Sequence, residues 1–312
     1  MRYRPYNDFW QAIHKNAAKE KIPLRVMFEL TYRCNFKCRH CYVPPSYIKK
    51  YRKRELNTKE VFSILDQLRG MGCFYLGFTG GELFLRPDII DILEYSKKCG
   101  FEVIIYTNGS LIDKKMTEAL SRIRPNKVDI TIPAISEEAF RQVTGISGAR
   151  GAVFNAVRLL RKKNINLGFK TCVVKANKQE IDYIKRFARR LCIFHRVDEY
   201  PSARLDGSKE PYKYSIKAPP LRGQAGYRTK NLFYCGAGST QAAITPAGEL
   251  KLCLMIDYPK YRILEISLNE AWQRLHRLTK SITPIPGAYY KWCPAESWLE
   301  NKTFQDKISC NT

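Results

Sequence analysis

The chain has little acidic charge, no long apolar run and no internal repeat. Its 312 residues carry 29 Asp and Glu against 54 Lys and Arg, a formal net charge of +25. Such an excess is unusual for an enzyme of small molecules. It promotes association with acidic partners, costs self-repulsion, and bears on the partner rather than on the fold. No stretch approaches the run of about 20 apolar residues that spans a bilayer. The opening MRYRPYNDFWQAIHKNAAKEK has no continuous apolar segment of the kind an export signal carries. These two absences exclude a membrane protein and point to a cytoplasmic location. Low-complexity tracts are missing too, and with 45% hydrophobic and 27% charged residues the composition excludes a disordered chain. His14, His195 and His276 form no ligand spacing and read as surface or satisfied core histidines.

Cysteine is what the chain does have, at eleven residues. An odd count, clustered at ligand-like spacings in a large chain without an export signal, points to metal rather than to disulfides. Cys73, Cys99, Cys172 and Cys192 fall inside apolar strand or helix patterns and read as buried thiols.

Hydrophobic periodicity predicts an alternation of strands and helices. A first strand covers 24–31 (LRVMFELT). Asn57 and Glu60 form a capping box before Val61, Ile64, Leu65 and Leu68 at helical spacing, and Gly70 and Gly72 end that helix. Strands follow at 74–78 and 102–106, separated by a helix that starts near Pro87 and stops at Gly100. Beyond them come a helix at 113–122, a strand at 127–132, a helix after Gly151 and a strand at 166–174. A helix capped by Asn177 and Glu180, running to Arg190, and a strand at 191–197 complete six β/α units. Six units imply a parallel sheet wound in one direction, a partial TIM-like (β/α)6 barrel two units short of closure, with its chemistry on the loops after the strand C-termini. The expected organisation is an N-terminal extension at 1–23, the barrel at 24–200, a linker at 201–231 rich in Pro, Gly, Lys and Arg, and a small second unit at 232–312.

Directly after the first strand stands Cys34-Asn-Phe-Lys-Cys38-Arg-His-Cys41. Three thiolates bind three irons of a [4Fe–4S] cube and leave the fourth iron open to an outside ligand, whereas electron carriers fill all four positions. Zinc would want a fourth ligand to close the site, and three cysteines packed into eight residues on a strand-end loop are poorly placed as core. The run and its position resemble the radical S-adenosylmethionine superfamily, over roughly residues 24 to 200. By that resemblance the methionine moiety of the cofactor chelates the open iron, and His40 occupies the position of the aromatic residue beside the adenine. Gly80, Gly81 and Glu82 match the family's Gly-Gly-Glu segment. There the glycines permit close backbone approach to the ligand and the carboxylate or carbonyls accept from the ammonium. Asn108 and Thr131 fit the polar positions that reach ribose or carboxylate; the alternative for each is ordinary turn and strand chemistry.

The second unit carries Cys235-Gly-Ala-Gly, then Gly248 and Cys253, and closes with Trp292-Cys293-Pro-Ala and Cys310. This resembles a SPASM domain, the appendage that binds auxiliary clusters in peptide-modifying members of the superfamily. The cysteine-rich stretch usual before the position of Cys293 is missing, which implies the shortened twitch form. The resemblance then implies one auxiliary [4Fe–4S] cluster on Cys235, Cys253 and Cys293, with Cys310, another residue or the substrate on the fourth iron. A set of packed thiols without a cluster is the alternative. A zinc knuckle is disfavoured because the spacings are long and this unit has no paired Cys-x2-Cys.

The activity so implied is reductive cleavage of S-adenosylmethionine to a 5′-deoxyadenosyl radical, which abstracts a hydrogen atom from a substrate. The electron comes from a donor such as flavodoxin or ferredoxin. A ribosomally synthesised peptide undergoing maturation, acidic if the basic surface is a guide, is the expected partner. A nucleic acid is the rival that the charge also suits, and a cluster-bearing binding protein without catalysis is a third reading. With only about 33 residues before Cys34, no appended leader-peptide-binding domain is expected. The run 49–54, KKYRKR, is expected on the connection between the cysteine loop and the first helix, at the rim of the cleft.

Overall fold

The computed structural model describes residues 4–217, 233–234, 236–282 and 289–290. In chain order the elements are α1 (Arg4–Lys19), β1 (Arg25–Thr31), α2 (Pro45–Arg52), α3 (Thr58–Gly70), β2 (Tyr75–Gly80), α4 (Ile89–Lys98), β3 (Glu102–Thr107), α5 (Lys114–Ile123) and β4 (Lys127–Thr131). They continue with α6 (Glu137–Thr144), α7 (Ala149–Lys162), β5 (Leu167–Cys172), α8 (Ile181–Arg190) and β6 (Phe194–Asp198). The remainder comprises β7 (Phe233–Tyr234), β8 (Gln241–Ile244), β9 (Glu249–Cys253), β10 (Ile256–Arg262), α9 (Leu268–Ile282) and β11 (Tyr289–Tyr290).

Strands β1 to β6 pair in sequence order and in parallel, each preceded by a helix that returns the chain to the same end. This is the partial (β/α)6 barrel that the alternation predicts. Val26, Phe28, Leu30, Leu76, Phe78, Val103, Ile105, Val128 and Ile130 are all buried in one apolar core. Their alternate neighbours lie on the other, interior face, where Glu29, Tyr106, Asp129, Thr131, Lys170 and Asp198 stand. The period of two along each strand separates the two sets. Helix α3 begins with the expected capping box: Asn57 Oδ1 accepts from the Glu60 amide at 3.0 Å while Glu60 Oε2 accepts from the Asn57 amide at 2.8 Å. Its buried face is Val61, Ile64, Leu65 and Leu68.

The tail does not stand apart from this sheet. β8 pairs in parallel with β1, from Arg25↔Gln241 to Phe28↔Ile244, and β9 and β10 follow antiparallel, giving one nine-stranded sheet ordered β10-β9-β8-β1-β2-β3-β4-β5-β6. β7 and β11 form a separate two-stranded pair. Among the described residues no helix is long and apolar enough to cross a membrane.

Several local expectations are corrected. Helix α6 escapes the periodicity because it is a single eight-residue segment; Ser136, whose side chain accepts from the Ala139 amide, and the acidic Glu137 and Glu138 are its start signals. Asn177 stands just before a short 3-10 turn, Lys178–Glu180, but its side chain makes no cap hydrogen bond. Its side chain is fully buried, donating to the carbonyls of Pro133 and Cys172 and accepting from the Val174 amide, so it staples the loop after β5. Glu180 likewise turns away from its own helix to accept from the Ile135 amide at 2.5 Å and from Ser136. Cys73 is buried and Cys99 and Cys172 half-buried, but Cys192 is exposed, at φ +54 in the turn after α8. The basic run 49–54 is no irregular connection: Lys49, Lys50 and Arg52 belong to α2.

Candidate active site

The thirteen residues after β1 carry the three clustered cysteines, and two neighbours hold this loop in place. The amide of Lys37 donates to the Thr144 carbonyl at 2.8 Å and that of Arg39 to the Val143 carbonyl at 3.3 Å. The loop thereby satisfies orphan carbonyls in the last turn of α6. Phe36 is buried edge-on against Phe140 of the same helix, with ring centroids 6.0 Å apart.

On the other side, the segment that ends β2 presses against the start of the loop. The Gly81 amide donates to the Thr31 carbonyl at 2.7 Å and the Glu82 amide to the Arg33 carbonyl at 2.8 Å. A Cβ at Gly80 would lie 2.1 Å from the Thr31 carbonyl oxygen, and one at Gly81 would lie 2.1 Å from that of Arg33. Gly80 moreover has φ +129. The close approach that the glycines allow is therefore to the backbone just before Cys34.

Glu82 is fully buried and its carboxylate is already engaged. It accepts from the Thr107 hydroxyl at 2.8 and 2.9 Å and from the amides of Asn108 at 2.8 Å and Phe84 at 3.2 Å. Burial raises its pKa above the usual carboxylate value against the opposing pull of those donors. Asn108 continues the chain of contacts: its Nδ2 donates to Asn35 Oδ1 at 2.8 Å and lies 3.9 Å from Cys34 Sγ, while its Oδ1 accepts from the Ser110 amide and hydroxyl. Glu82 and Asn108 thus order the loop around Cys34. Thr131 is half-buried at the C-terminal end of β4, in register with Lys170.

Burial pushes the Cys34 thiol up to about 11 and raises those of Cys38 and Cys41 as well, and Cys38 feels the charge of both the others. A thiolate in such a place forms only when a cation compensates it, which is how a metal-loaded site couples to deprotonation. Among the described residues no three His, Cys, Asp or Glu side chains converge on one point as they would around a single metal ion. The thiols meet the chemistry of a cluster ligand set: three soft donors within eight residues, on a loop that two neighbouring elements hold from either side.

His40, between Cys38 and Cys41, faces Lys170 and Asp198. Burial, assisted by Lys170, pushes its pKa down to about 4, so the ring is neutral at pH 7. Its Nδ1 is buried without a hydrogen-bond partner. The ring borders a cavity of about 670 Å³ whose wall includes Arg39, Val143, Val174, Lys175 and Tyr214. A buried, unpaired ring nitrogen against a cavity at the strand C-termini suits a polar ligand group there. Of the tail cysteines, Cys253 is half-buried at the end of β9; Cys235, Cys293 and Cys310 lie outside the described residues.

Sequence reading missed a network beneath this loop. Glu29 and Lys251, both fully buried, form an ion pair at 3.0 Å. The hydroxyls of Tyr32 and Tyr42 donate to the same carboxylate at 2.9 and 2.7 Å. The available signal was a charge in the middle of each of two apolar strands, VMFELT and ELKLC.

A partial parallel barrel with three thiols on the loop after its first strand defines a class, and the sequence comparison agrees with it. The profile of the Radical SAM superfamily matches residues 28–190, and the chain belongs to that superfamily. Membership implies a [4Fe–4S] cluster and S-adenosylmethionine. Among curated relatives the chain is 30% identical over 187 residues to the Fe-coproporphyrin III synthase of Methanosarcina barkeri, covering 58% of this chain and 45% of that one. It is 26% identical over 303 residues to AlbA of Bacillus subtilis, the antilisterial bacteriocin subtilosin biosynthesis protein, covering 92% and 65%. The chain thus spans about half to two thirds of the length of these relatives. Among solved structures, Streptococcus suis SuiB bound to its precursor peptide SuiA shares the fold, with a TM-score of 0.66 at 17% identity over 90% of this chain and 73% of that one.

Proposed function

We propose that the chain cleaves S-adenosylmethionine reductively and uses the resulting 5′-deoxyadenosyl radical to abstract a hydrogen atom from a ribosomally synthesised peptide undergoing maturation. The observation that carries this reading is the set of three part-buried thiols, each with its pKa raised by burial, on the strand-end loop. When bound, a [4Fe–4S] cluster supplies an electron to the sulfonium of the cofactor. The rest is done by the chain's own residues. Cys34, Cys38 and Cys41 would hold three irons as thiolates. His40 offers a neutral ring beside the adenine, and Asn108 and Thr131 stand at the strand ends where polar cofactor groups would lie. Gly80 and Gly81 let the next strand end close on the cysteine loop, and Glu82 keeps that junction rigid.

The tail would add an auxiliary [4Fe–4S] cluster on Cys235, Cys253 and Cys293, with Cys310 a further candidate ligand. Peptide is preferred as substrate because the relative named for bacteriocin biosynthesis aligns over 92% of the chain, tail included, whereas the one named for tetrapyrrole chemistry aligns over 58%. A second reading, modification of RNA, is favoured by the net charge of +25. A small acidic flavodoxin or ferredoxin suits the same basic surface as electron donor.

Protein reconstituted anaerobically should hold about eight irons, four from each site, and release 5′-deoxyadenosine from S-adenosylmethionine under dithionite. Replacing Cys34, Cys38 and Cys41 together by alanine should abolish that release; release at the parent rate would refute the reading. Cys253→Ala should lower iron content while uncoupled release continues. Incubation with the product of any short open reading frame beside the gene, and separately with cellular RNA, distinguishes the substrates by which one changes mass.

A further inference from the structure

The Glu29 carboxylate sits where three parts of the molecule meet. It projects from β1, the barrel strand that pairs with the tail strand β8. Its Oε1 accepts from Tyr42, the residue that follows Cys41, at 2.7 Å. Its Oε2 accepts from Tyr32, at the start of the cysteine loop, at 2.9 Å, and lies 3.0 Å from Nζ of Lys251 on β9, two residues before Cys253. The ammonium also donates to the Leu254 carbonyl at 3.3 Å, the residue on the other side of Cys253. Glu29 and Lys251 are both 0% exposed and Tyr32 is 1% exposed. Burial and the neighbouring carboxylate raise both tyrosines far above their usual pKa, so they remain donors.

Glu29, Lys251 and Tyr32 are out of contact with solvent and Tyr42 is part-buried, so the shared carboxylate ties the four side chains together where water does not readily replace a partner. A surface pair would not do this, because water would replace either partner. The network ends on neighbours of both cysteines: on one side the side chain of Tyr42, next to Cys41, on the other the backbone carbonyl of Leu254, next to Cys253. No other pairing among the described ion pairs joins β1 to the tail strands.

We propose that Glu29 is a positioning residue that locks the Cys41 limb of the cysteine loop to the strand bearing Cys253, so that the geometry of one cysteine site depends on side chains of the other. This rests on the reading of the loop as a cluster site. The dependence extends to Lys251, whose described polar contacts are to Glu29 and the Leu254 carbonyl and which acts on the loop through the shared carboxylate.

The test uses the full chain, reconstituted anaerobically and reduced, with electron paramagnetic resonance recorded before and after S-adenosylmethionine is added, and with iron content and thermal midpoint measured in parallel. Tyr42→Phe removes one hydroxyl and little volume, so it keeps the fold; Lys251→Met removes the charge from the other end; Lys251→Arg retains it. The expected result is that Tyr42→Phe and Lys251→Met each shift the g values of the cluster that responds to S-adenosylmethionine, while Lys251→Arg returns them toward the parent. A merely structural role would lower the thermal midpoint and iron content of Lys251→Met but leave the spectrum of the remaining cluster parental, and that result would overturn the proposal. Should Lys251→Met not fold, Tyr42→Phe decides by itself: an unshifted spectrum refutes the link. A parent protein whose spectrum ignores S-adenosylmethionine would instead refute the reading of the site, which separates the two failures.

Discussion

The buried carboxylate of Glu82 accepts the backbone amide of Asn108 at 2.8 Å, joining the loop after β2 to the loop after β3. Both loops border Cys34, so this one hydrogen bond sets their spacing at the candidate site. Glu82→Ala would leave the Thr107 hydroxyl and two amides without an acceptor in a place that water does not reach. Loss of about 1–3 kcal/mol of stability is expected, together with reduced iron loading. Denaturant unfolding of the apoprotein and iron analysis after reconstitution check the two effects separately.

Gly81→Ala should be more harmful than its size suggests. The added methyl would sit 2.1 Å from the Arg33 carbonyl oxygen and 2.8 Å from that of Tyr32, both backbone atoms that cannot rotate away. The cysteine loop must move, and iron incorporation should fall. Gly151 in α7 is the control: nothing lies within 4 Å of a Cβ there, and Gly151→Ala should stabilise by about 0.5–1 kcal/mol. Equal behaviour of the two variants in iron loading and melting would contradict the steric account.

A pH dependence follows from Glu249. Burial by itself would raise its pKa, but the Tyr51 hydroxyl at 2.7 Å, Lys260, Thr245 and Arg54 outweigh that and hold it below the usual value. The unfolded chain then binds the proton more tightly than the native one. The contribution to stability is complete above the unfolded carboxylate pKa and is lost as pH falls through the native one. Glu249→Gln should therefore be less stable than the parent at pH 7, and the gap should narrow on acidification toward pH 3. Urea midpoints of both proteins across that range provide the measurement.

The exposed charges of α2 and the turn after it offer a test of partner chemistry. Lys49, Lys50, Arg52 and Lys53 are exposed with no carboxylate partner among the described ion pairs, whereas Arg54 lies 3.6 Å from Glu249. Replacing those four by glutamine should weaken substrate binding in a salt-dependent way and leave iron content unchanged. With a nucleic acid, log affinity should fall with log salt by roughly 0.7 to 0.9 per phosphate neutralised. A peptide with a few acidic residues should give a shallower slope. Binding that ignores both the substitutions and added salt would make the run an ordinary solvated helix face.

Much of the architecture was legible because it rests on local rules. The capping box of Asn57 and Glu60, the alternation of β1 to β6 and the order of the six units all come from contacts within a few residues or from chain direction. Helix α6 was missed because eight residues give too few turns for a period to show, and its stability comes in part from the cysteine loop that closes its last turn. Asn177 was misread because a helix cap and a buried loop staple use the same side-chain chemistry; only the position of Pro133 and Cys172 decides between them.

By itself the sequence determined the class of protein and marked its candidate site: three cysteines in eight residues after a strand, a Gly-Gly-Glu segment after the next, and a parallel winding that brings both to one end. Spacing is enough for this, because ligand sets on short loops and strand ends are built from neighbours in the chain. The tertiary structure alone decided what those residues do to one another. Gly80 and Gly81 meet the backbone before Cys34, Glu82 is consumed by Thr107 and Asn108, and a lysine 222 positions away in sequence neutralises Glu29. The physical reason is that a buried polar group takes whichever partner the fold delivers to it, and the pairing of β8 with β1 that delivers Lys251 has no signature in the local sequence of either strand.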